Sequence, residues 1–321
     1  MLQDKFGRRF HYLRLSVTDV CNFKCTYCLP DGYKGSDRSF LTMPEIDTIT
    51  KAFAGLGTSK IRITGGEPSL RKDLPEIIEK CASVEGIKHV AMTTNAYKLE
   101  RDVFDYQKAG LNSLNISIDS FNPHIFNSIT GHNKLDSILK GIESALELGI
   151  KVKVNAVLMK QYNGNEMSRF LKWIKDKPVT LRFIELMQTG DNATFFGQNH
   201  VSGEPIKKQL IDAGWVQTIR GKAAGPAQEF QHPEYAGKIG LIMPYSEDFC
   251  ASCNRLRISS TGKLHLCLFA DQGIDIRPYM VNSNPEELQQ ALIANLSNKT
   301  ATHYLHDGYT GATKHLAMLG G

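Results

Sequence analysis

The sequence lacks the features of a membrane, secreted or nucleic-acid-binding protein. Its 321 residues contain no apolar run near the ~18–20 residues that a membrane-spanning helix needs. The N-terminal segment has no apolar stretch of the kind that a secretory signal requires, so we expect a cytoplasmic protein with no membrane partner. The net charge of +5 is too weak to indicate nucleic acid, although it suits a small anionic substrate.

A disulfide framework is also not expected. The chain has seven cysteines, an odd number, and six of them fall into two triplets. Such clusters in a chain with no secretory signal favour metal ligation in a reducing compartment. The remaining thiol, Cys81, fits neither triplet and is predicted to be an ordinary buried cysteine.

The first triplet comprises Cys21, Cys25 and Cys28, spaced C-x3-C-x2-C after a strand-like run at Tyr12–Thr18. Three thiolates are one fewer than a four-iron, four-sulfur cluster usually takes, so one iron would keep an open position for chemistry. A structural zinc site is the alternative, but zinc requires a fourth Cys or His close by. The next histidine along the chain is His89.

The second triplet comprises Cys250, Cys253 and Cys267, spaced C-x2-C-x13-C. Residues 255–259 and 263–268 alternate like two strands of a hairpin, which would bring Cys267 back beside the other two thiols.

Spacing alone leaves zinc and iron–sulfur open at this second triplet, because His265 could complete a Cys3His zinc site. Arg255 and Arg257 lie one residue apart on the same predicted strand and therefore face the same way. Two such guanidinium groups suit a phosphate or a base edge.

Strands alternate with helices through the first two-thirds of the chain, which predicts an α/β fold with a parallel sheet. The predicted strands are Tyr12–Thr18, Lys60–Thr64, His89–Thr94, Ser113–Asp119, Lys151–Val157 and Thr180–Glu185. The predicted helices lie near 43–56, 74–84, 99–109, 134–148, 165–175, 204–213 and Pro285–Leu296. We divide the chain into a barrel domain, 1–225, and a C-terminal region, 226–321.

Four of the predicted strands, at 12–18, 60–64, 113–119 and 151–157, carry polar residues at every second position, and the strand at 180–185 begins the same way. Parallel strands buried on both faces should instead be almost continuously apolar. We infer that the polar face lines a roomy lumen that holds a charged ligand. Arg14, Arg62 and Lys153 would then converge on an anion such as a triphosphate. The alternative for each of them singly is a solvated or ion-paired strand residue.

The predicted C-terminal strand ends carry further candidate ligand positions, since sites in such barrels lie there. The loop Thr64–Pro68 has two glycines that let the backbone approach a ligand, and Glu67 could accept hydrogen bonds from an ammonium group. Thr93–Asn95, Ser117–Ser120 and Met187 follow their strands at the same end.

These motifs resemble those of a known family. The first triplet, with Tyr27 before its last cysteine, resembles the signature of radical S-adenosylmethionine (SAM) enzymes, and Gly65–Pro68 resembles their GGEP loop. Together with Asn254–Arg257 between the second-triplet cysteines and the terminal Gly320-Gly321, they are similar to the GTP 3′,8-cyclase family, over essentially the full chain.

The resemblance implies an incomplete (β/α)6 TIM-type barrel, with a C-terminal iron–sulfur domain covering its open side. It implies two [4Fe–4S] clusters with three cysteine ligands each, and SAM bound at the first. A 5′-deoxyadenosyl radical would abstract the C3′ hydrogen of GTP. The C3′ radical would then bond to C8, and the adduct would take up one electron and one proton. The product would be (8S)-3′,8-cyclo-7,8-dihydroguanosine 5′-triphosphate, in the first step of molybdenum cofactor biosynthesis, with no side chain acting as acid or base.

The resemblance also assigns site residues. The implied cluster ligands are Cys21, Cys25, Cys28, Cys250, Cys253 and Cys267. The implied SAM contacts are Tyr27, Gly66, Ser117 and Met187. The implied GTP contacts are Arg14, Arg62, Thr93, Lys153, Arg255, Leu256 and Arg257. The terminal Gly320 and Gly321 would form a flexible tail that enters the barrel and is needed for activity.

Partners follow from the same resemblance: GTP as substrate, a reducing electron donor, a downstream cyclic pyranopterin monophosphate synthase and a possible homodimer. Two other functions are carried as alternatives. A radical SAM enzyme acting on a peptide would turn over without a nucleotide. A zinc-binding module would contain no iron, and it would leave the polar barrel face unexplained.

Overall fold

A single sheet of twelve strands organises the chain, in a computed structural model that describes residues 1–35, 39–219, 221, 224–247, 249–270, 272–311 and 313–319. Numbered along the chain, the strands are β1 Tyr12–Ser16, β2 Lys60–Thr64, β3 His89–Thr94, β4 Ser113–Ser117, β5 Lys151–Leu158, β6 Thr180–Glu185, β7 Val216–Gln217, β8 Gln228–Gln231, β9 Lys238–Ile242, β10 Arg255–Ile258, β11 Lys263–His265 and β12 Ile274–Asp275. Their spatial order is β12-β11-β10-β1-β2-β3-β4-β5-β6-β9-β8-β7.

Strands β1 to β6 pair in parallel, and helices connect them. The helices are α1 Met43–Gly55, α2 Leu74–Ser83, α3 Leu99–Lys108, α4 Pro123–Thr130, α5 Leu135–Glu147, α6 Met167–Ile174, α7 Ala193–Asn199, α8 Glu204–Asp212 and α9 Pro285–Leu296. Short 3-10 turns lie at Pro68–Leu70, Arg277–Met280, Leu305–Asp307 and Leu316–Leu319. Every helix in the described part of the chain is too short or too polar to span a bilayer.

Local sequence explains where the first helix begins. The side chain of Thr42 accepts a hydrogen bond from the backbone N–H of Glu45, and the Glu45 carboxylate accepts one from the backbone N–H of Thr42. This reciprocal capping satisfies two N–H groups that the first turn of a helix leaves without partners.

The alternating strands separate a core face from a lumen face, as the sequence indicated. Leu13, Leu15 and Ile61 are fully buried in the core, whereas the residues between them face the cavity described below. Register places Arg14 directly opposite Arg62 on β2 and opposite Arg257 on β10. Like charges in facing positions destabilise a sheet, so the arrangement favours an anionic ligand in the lumen.

The C-terminal region extends both edges of the six-stranded core instead of forming a separate sheet. Strand β10 pairs in parallel with β1, and β9 pairs in parallel with β6. The predicted hairpin is confirmed as the antiparallel pair β10 and β11, although its second strand ends at His265, three residues earlier than expected.

The α/β class, the six parallel strands and the open sheet are confirmed. Three of the six strands have the predicted bounds, β1 and β4 end two residues early, and β5 ends one residue late. Helices α4 and α7 were not predicted. Both are short, at eight and seven residues, and short apolar patterns are the hardest to assign.

Candidate active site

The first pocket lies at the C-terminal ends of β2, β3, β4 and β5, as expected for a barrel of this type. All three thiols of the first triplet line it. Its other lining residues include Tyr27, Gly65, Gly66, Thr93, Ser117, Asp119, Asn155, Met187, Leu316 and Ala317. The last two show that the C-terminal segment reaches this pocket. Gly320 and Gly321 lie outside the described residues.

The glycines of the Thr64–Pro68 loop are required by close backbone contacts. A Cβ atom at Gly65 would lie 2.4 Å from the Thr18 carbonyl oxygen, and one at Gly66 would lie 2.5 Å from the Asp19 carbonyl oxygen. Any side chain at either position would therefore displace the loop that carries the first triplet.

Glu67 follows Gly66 in the same loop but is not among the residues that line the first pocket. Its buried carboxylate accepts hydrogen bonds from the Ser69 N–H at 3.0 Å, the Thr94 hydroxyl at 2.7 Å and the Asn95 N–H at 2.6 Å. These bonds tie the loop after β2 to the end of β3. In this structure Glu67 positions the loop, and three of its acceptor sites are occupied.

The first triplet lies in neutral to acidic surroundings. The Tyr27 hydroxyl donates to Asp119 at 3.1 Å, and Asp119 also accepts from the Val157 N–H at 2.8 Å. Burial raises the pKa of Asp119 to about 6. Burial also raises the pKa of Cys21 to about 11, and burial with the nearby Asp119 carboxyl raises the pKa of Cys25 well above its usual value.

The second pocket is bounded by cations and by the second triplet. It is a cavity that is partly open to solvent. The cationic residues lining it are Arg14, Lys60, Arg62, Lys153, Arg182, Arg255 and Arg257. Other lining residues are Tyr12, Asn115, Asn155, Glu229, Phe249, His303 and the thiols of Cys250, Cys253 and Cys267.

Tyr12 lies at the centre of the cationic side chains. Its hydroxyl oxygen accepts a hydrogen bond from Arg62 Nε, and the Lys60 ammonium lies 5.1 Å from the centre of its ring. Burial alone would raise the pKa of Tyr12, but Arg62, Arg14 and Lys60 lower it to about 7. The phenol therefore offsets part of the positive charge.

Several buried polar atoms of this wall have no hydrogen-bond partner among the described residues. They are Nε and Nη2 of Arg182, Nε of Arg255 and Arg257, and Oδ1 of Asn115 and Asn155. Buried polar groups are rarely left unsatisfied, so these atoms fit a polyanionic ligand with further polar edges.

The second triplet lies among cations. Arg255 Nη2 is 4.0 Å from Cys253 Sγ, and buried Lys299 donates to the Leu266 carbonyl oxygen beside Cys267. Burial opposes ionisation of Cys253, but Arg255 and Lys299 lower its pKa to about 6.

His303, which was not predicted as a site residue, lies beside Cys250 of this triplet. Its Nε2 lies 2.9 Å from the Pro244 carbonyl oxygen, and its Nδ1 accepts from the Leu305 N–H at 3.3 Å. Burial would raise the pKa of Cys250, yet hydrogen bonds from His303 and Thr302 hold it below its usual value.

The structure gives no support to His265 as a fourth zinc ligand, although another histidine, His303, lies beside Cys250. His265 is not among the residues lining the second pocket, and a Cβ atom added at Gly273 would lie 2.5 Å from its Nε2. Within the described ranges, no three Cys, His, Asp or Glu side chains converge to hold a single metal ion. Three thiols facing one cavity at each site instead fit the donor set of a larger cluster.

The two pockets meet. Asn155, Ile184 and Met187 line both of them, so one lumen connects the two triplets. Most predicted site residues face this lumen on the expected side. Thr93 lines the first pocket, where Arg62 Nη1 donates to its hydroxyl at 3.4 Å. Leu256 is buried and its side chain lines neither pocket.

Sequence reasoning missed Lys60 and Arg182 as pocket residues, although a signal for both was present. Each lies two residues, or one strand repeat, from another lumen-facing position: Lys60 from Arg62, and Arg182 from Ile184. Glu229 and His303 could not be found in this way. They lie outside the six predicted parallel strands, so strand alternation does not show that they face the lumen.

Comparison with known proteins agrees with this architecture. The sequence model of the Radical SAM superfamily matches residues 15–174, and that of Molybdenum Cofactor Synthesis C matches residues 179–305. The structure of Streptococcus suis SuiB bound to S-adenosylmethionine has a TM-score of 0.64 over 93% of this chain and 74% of SuiB. At 14% identity that likeness shows the fold alone. Fold and sequence together define a radical SAM enzyme.

Two relatives narrow the class further. The GTP 3′,8-cyclase of Vibrio parahaemolyticus is 56% identical, over 99% of this chain and 97% of the relative. The GTP 3′,8-cyclase of Aeromonas hydrophila is 55% identical, over 100% of this chain and 96% of the relative. The chain belongs to the GTP 3′,8-cyclase family, which confirms the resemblance seen in its motifs.

Proposed function

We propose that the protein converts GTP into (8S)-3′,8-cyclo-7,8-dihydroguanosine 5′-triphosphate, the first step of molybdenum cofactor biosynthesis. The observation that carries the proposal is the connected lumen. One end presents three thiols beside a glycine-lined pocket, and the other presents three thiols beside a wall of cations. That arrangement suits two different ligands whose reacting parts meet in the middle.

A cluster and SAM at the first pocket would supply, when bound, the radical that removes the C3′ hydrogen of GTP. Cys21, Cys25 and Cys28 would hold the cluster. Gly66 lines this cavity together with Tyr27, Ser117 and Met187, and these residues would contact SAM. Asn155, Ile184 and Met187 line both pockets and therefore stand where the two ligands would meet.

The cationic wall orients the substrate. Arg14, Arg62 and Arg257 lie side by side through strand register, while Lys60, Lys153 and Arg182 complete the surface. Guanidinium groups bind phosphate oxygens through paired hydrogen bonds of defined geometry. Holding the phosphate chain in this way would also fix the position of the attached ribose. Fixed orientation matters because the hydrogen must leave C3′ and no neighbouring carbon.

We further propose a second [4Fe–4S] cluster on Cys250, Cys253 and Cys267, near the guanine of GTP. The donor set supports it: three thiols line the pocket, and the nearby cations Arg255 and Lys299 favour the ionised form of Cys253. In the same proposal Thr93, Arg255 and Leu256 contact GTP, Leu256 through its backbone, and Gly320-Gly321 acts in the barrel. The barrel domain 1–225 then supplies SAM chemistry and residues 226–321 supply the second cluster.

The remaining partners are also proposals. The reaction needs a reducing electron donor and yields a product that a cyclic pyranopterin monophosphate synthase would consume. The six triplet cysteines must stay reduced to bind metal, which requires a reducing compartment and supports a cytoplasmic location. A homodimer is proposed from the family alone.

An anaerobic turnover assay tests the function. The reconstituted, reduced enzyme is mixed with SAM, with and without GTP, and both 5′-deoxyadenosine and nucleotide products are quantified. We expect deoxyadenosine to form in step with GTP loss and a cyclised nucleotide. Deoxyadenosine without GTP consumption would contradict the substrate, and no SAM cleavage by iron-loaded protein would contradict the role of the first pocket.

A further inference from the structure

Glu229 stands out in the second pocket by its charge. Among the described residues that line this pocket it carries the one carboxylate, and it faces a wall built from arginines and lysines. It enters from β8, at the edge of the sheet that the C-terminal region adds, opposite Gly240 on β9.

The carboxylate is bound to a cation of the proposed substrate site. Lys153 Nζ lies 2.6 Å from Glu229 Oε1, and both side chains are only partly exposed, at 31% and 27%. The Lys153 ammonium, Arg182 and Lys238 hold the pKa of Glu229 below its usual value although burial opposes ionisation. The pair is therefore an ionised contact inside the pocket.

Arg182 lies beside this pair. A Cβ atom at Gly240 would lie 2.7 Å from Arg182 Cγ, so the glycine leaves room for the arginine against β9. Arg182 Nε and Nη2 have no hydrogen-bond partner within the described ranges, even though an acidic side chain is near. Glu229 thus compensates Lys153 and leaves the guanidinium of Arg182 available.

We propose that Glu229 is an internal competitor for the phosphates of the substrate: it occupies Lys153 in the free enzyme and must release it when a polyphosphate binds. The inference rests on the proposed function. A carboxylate and a phosphate bind the same lysine through the same kind of charge-assisted hydrogen bond, so both cannot use it fully at once. Their mutual repulsion in a half-buried site adds to the competition.

The competition sets a requirement on the nucleotide. Only a nucleotide whose phosphates reach Lys153 has to displace the carboxylate, so the cost of displacement falls more heavily on a triphosphate than on a monophosphate. Glu229 also stabilises the free enzyme, in which cations such as Arg14, Arg62 and Arg257 lie in adjacent register.

The test is binding of GTP and GMP to iron-loaded Glu229→Gln, measured anaerobically by calorimetry without SAM so that no turnover occurs. Glutamine keeps the size of the side chain and removes its charge. We expect the Kd for GTP to fall by about fivefold, because a single partly exposed ion pair typically contributes about that much. The Kd for GMP should fall less. Glu234→Gln, an exposed site just beyond β8, removes the same charge elsewhere and should change neither Kd.

Each other outcome has a defined meaning. An unchanged Kd for GTP in Glu229→Gln, with normal binding by the unmodified protein, overturns the inference alone. A raised Kd overturns it too, because Glu229 would then be a substrate contact. An equal fall in Kd for GMP and GTP would show that Glu229 does not act on the outer phosphates, and this would contradict the competition. No GTP binding by the unmodified protein overturns the proposed function itself, and with it this role.

Discussion

The two cysteine triplets carry the same three ligands in opposite electrostatic surroundings. The first lies near the buried carboxyl groups of Asp119 and Glu67, and burial keeps its thiols protonated in the metal-free chain. The second lies near Arg255 and Lys299, which favour the ionised thiol of Cys253. The two sites therefore have the same three cysteine ligands but favour bound groups of opposite charge.

This difference fits two different tasks. A site among cations accepts additional negative charge, so the second pocket suits a cluster together with a polyphosphate. A site beside carboxyl groups and hydrogen-bond acceptors suits a ligand with a positive group, such as the ammonium and sulfonium of SAM. Spacing alone could not have separated the two roles, because the surroundings of each triplet come from distant strands.

The largest contrast is expected from removing one ligand of each triplet. Cys25→Ser should reduce SAM cleavage by about 10³-fold or more, since the chemistry depends on the bound cofactor. Cys253→Ser should abolish the cyclised nucleotide but retain slow, GTP-independent formation of deoxyadenosine. Both products are quantified by mass spectrometry after anaerobic turnover.

Cys81→Ser is the matched control for these variants. Cys81 is a fully buried thiol whose Sγ lies 3.7 Å from the Thr50 hydroxyl, far in sequence from both triplets. Its replacement should leave both products near their normal levels. Equal loss of both products in Cys25→Ser and Cys253→Ser would show that the triplets do not divide the work.

Much of the fold and part of the site could be predicted from the sequence. Period-two alternation located Arg14, Arg62 and Lys153 on one face, because side-chain direction in a strand depends only on position along it. The ion pair between Lys153 and Glu229 could not be predicted, since it depends on β8 being added beside β9 at the far sheet edge. The partners of Glu67 could not be predicted for the same reason: Thr94 and Asn95 come from the next strand.

A second comparison separates the cationic wall from the first pocket. Arg182→Met should raise the Kd for GTP by about 100-fold, the equivalent of one or two charge-assisted hydrogen bonds to phosphate. The Kd for SAM should stay the same, because Arg182 lines only the second pocket of the two. Equilibrium binding of each ligand to the iron-loaded variant measures both values.

The control for this charge change is Arg169→Met, on α6, whose side chain is 50% exposed. It removes the same charge from the surface and should alter neither Kd. A parallel weakening of GTP and SAM binding in Arg182→Met would indicate a damaged fold instead of a lost phosphate contact. A normal GTP Kd would remove Arg182 from the substrate site.

The smallest expected effect is a difference in thiol reactivity between the triplets in metal-free, reduced protein. The thiolate is the reactive form, so a lowered pKa extends reactivity to lower pH. Cys253, with a pKa of about 6, should be mostly ionised at pH 7, whereas Cys21, with a pKa of about 11, should be almost wholly protonated. The weaker nucleophilicity of the more acidic thiolate offsets part of this, which leaves an advantage of about 50-fold for Cys253.

Iodoacetamide labelling followed by peptide mapping measures both rates in one sample. The Cys253 rate should rise around pH 6 and level off by pH 8, while the Cys21 rate should still be rising at pH 9. Lys299→Met should move the Cys253 curve to higher pH and leave the Cys21 curve in place, because Lys299 is a cation near the second triplet only. Coincident curves for the two cysteines would contradict the electrostatic contrast, since both thiols are partly exposed and differ chiefly in the charges around them.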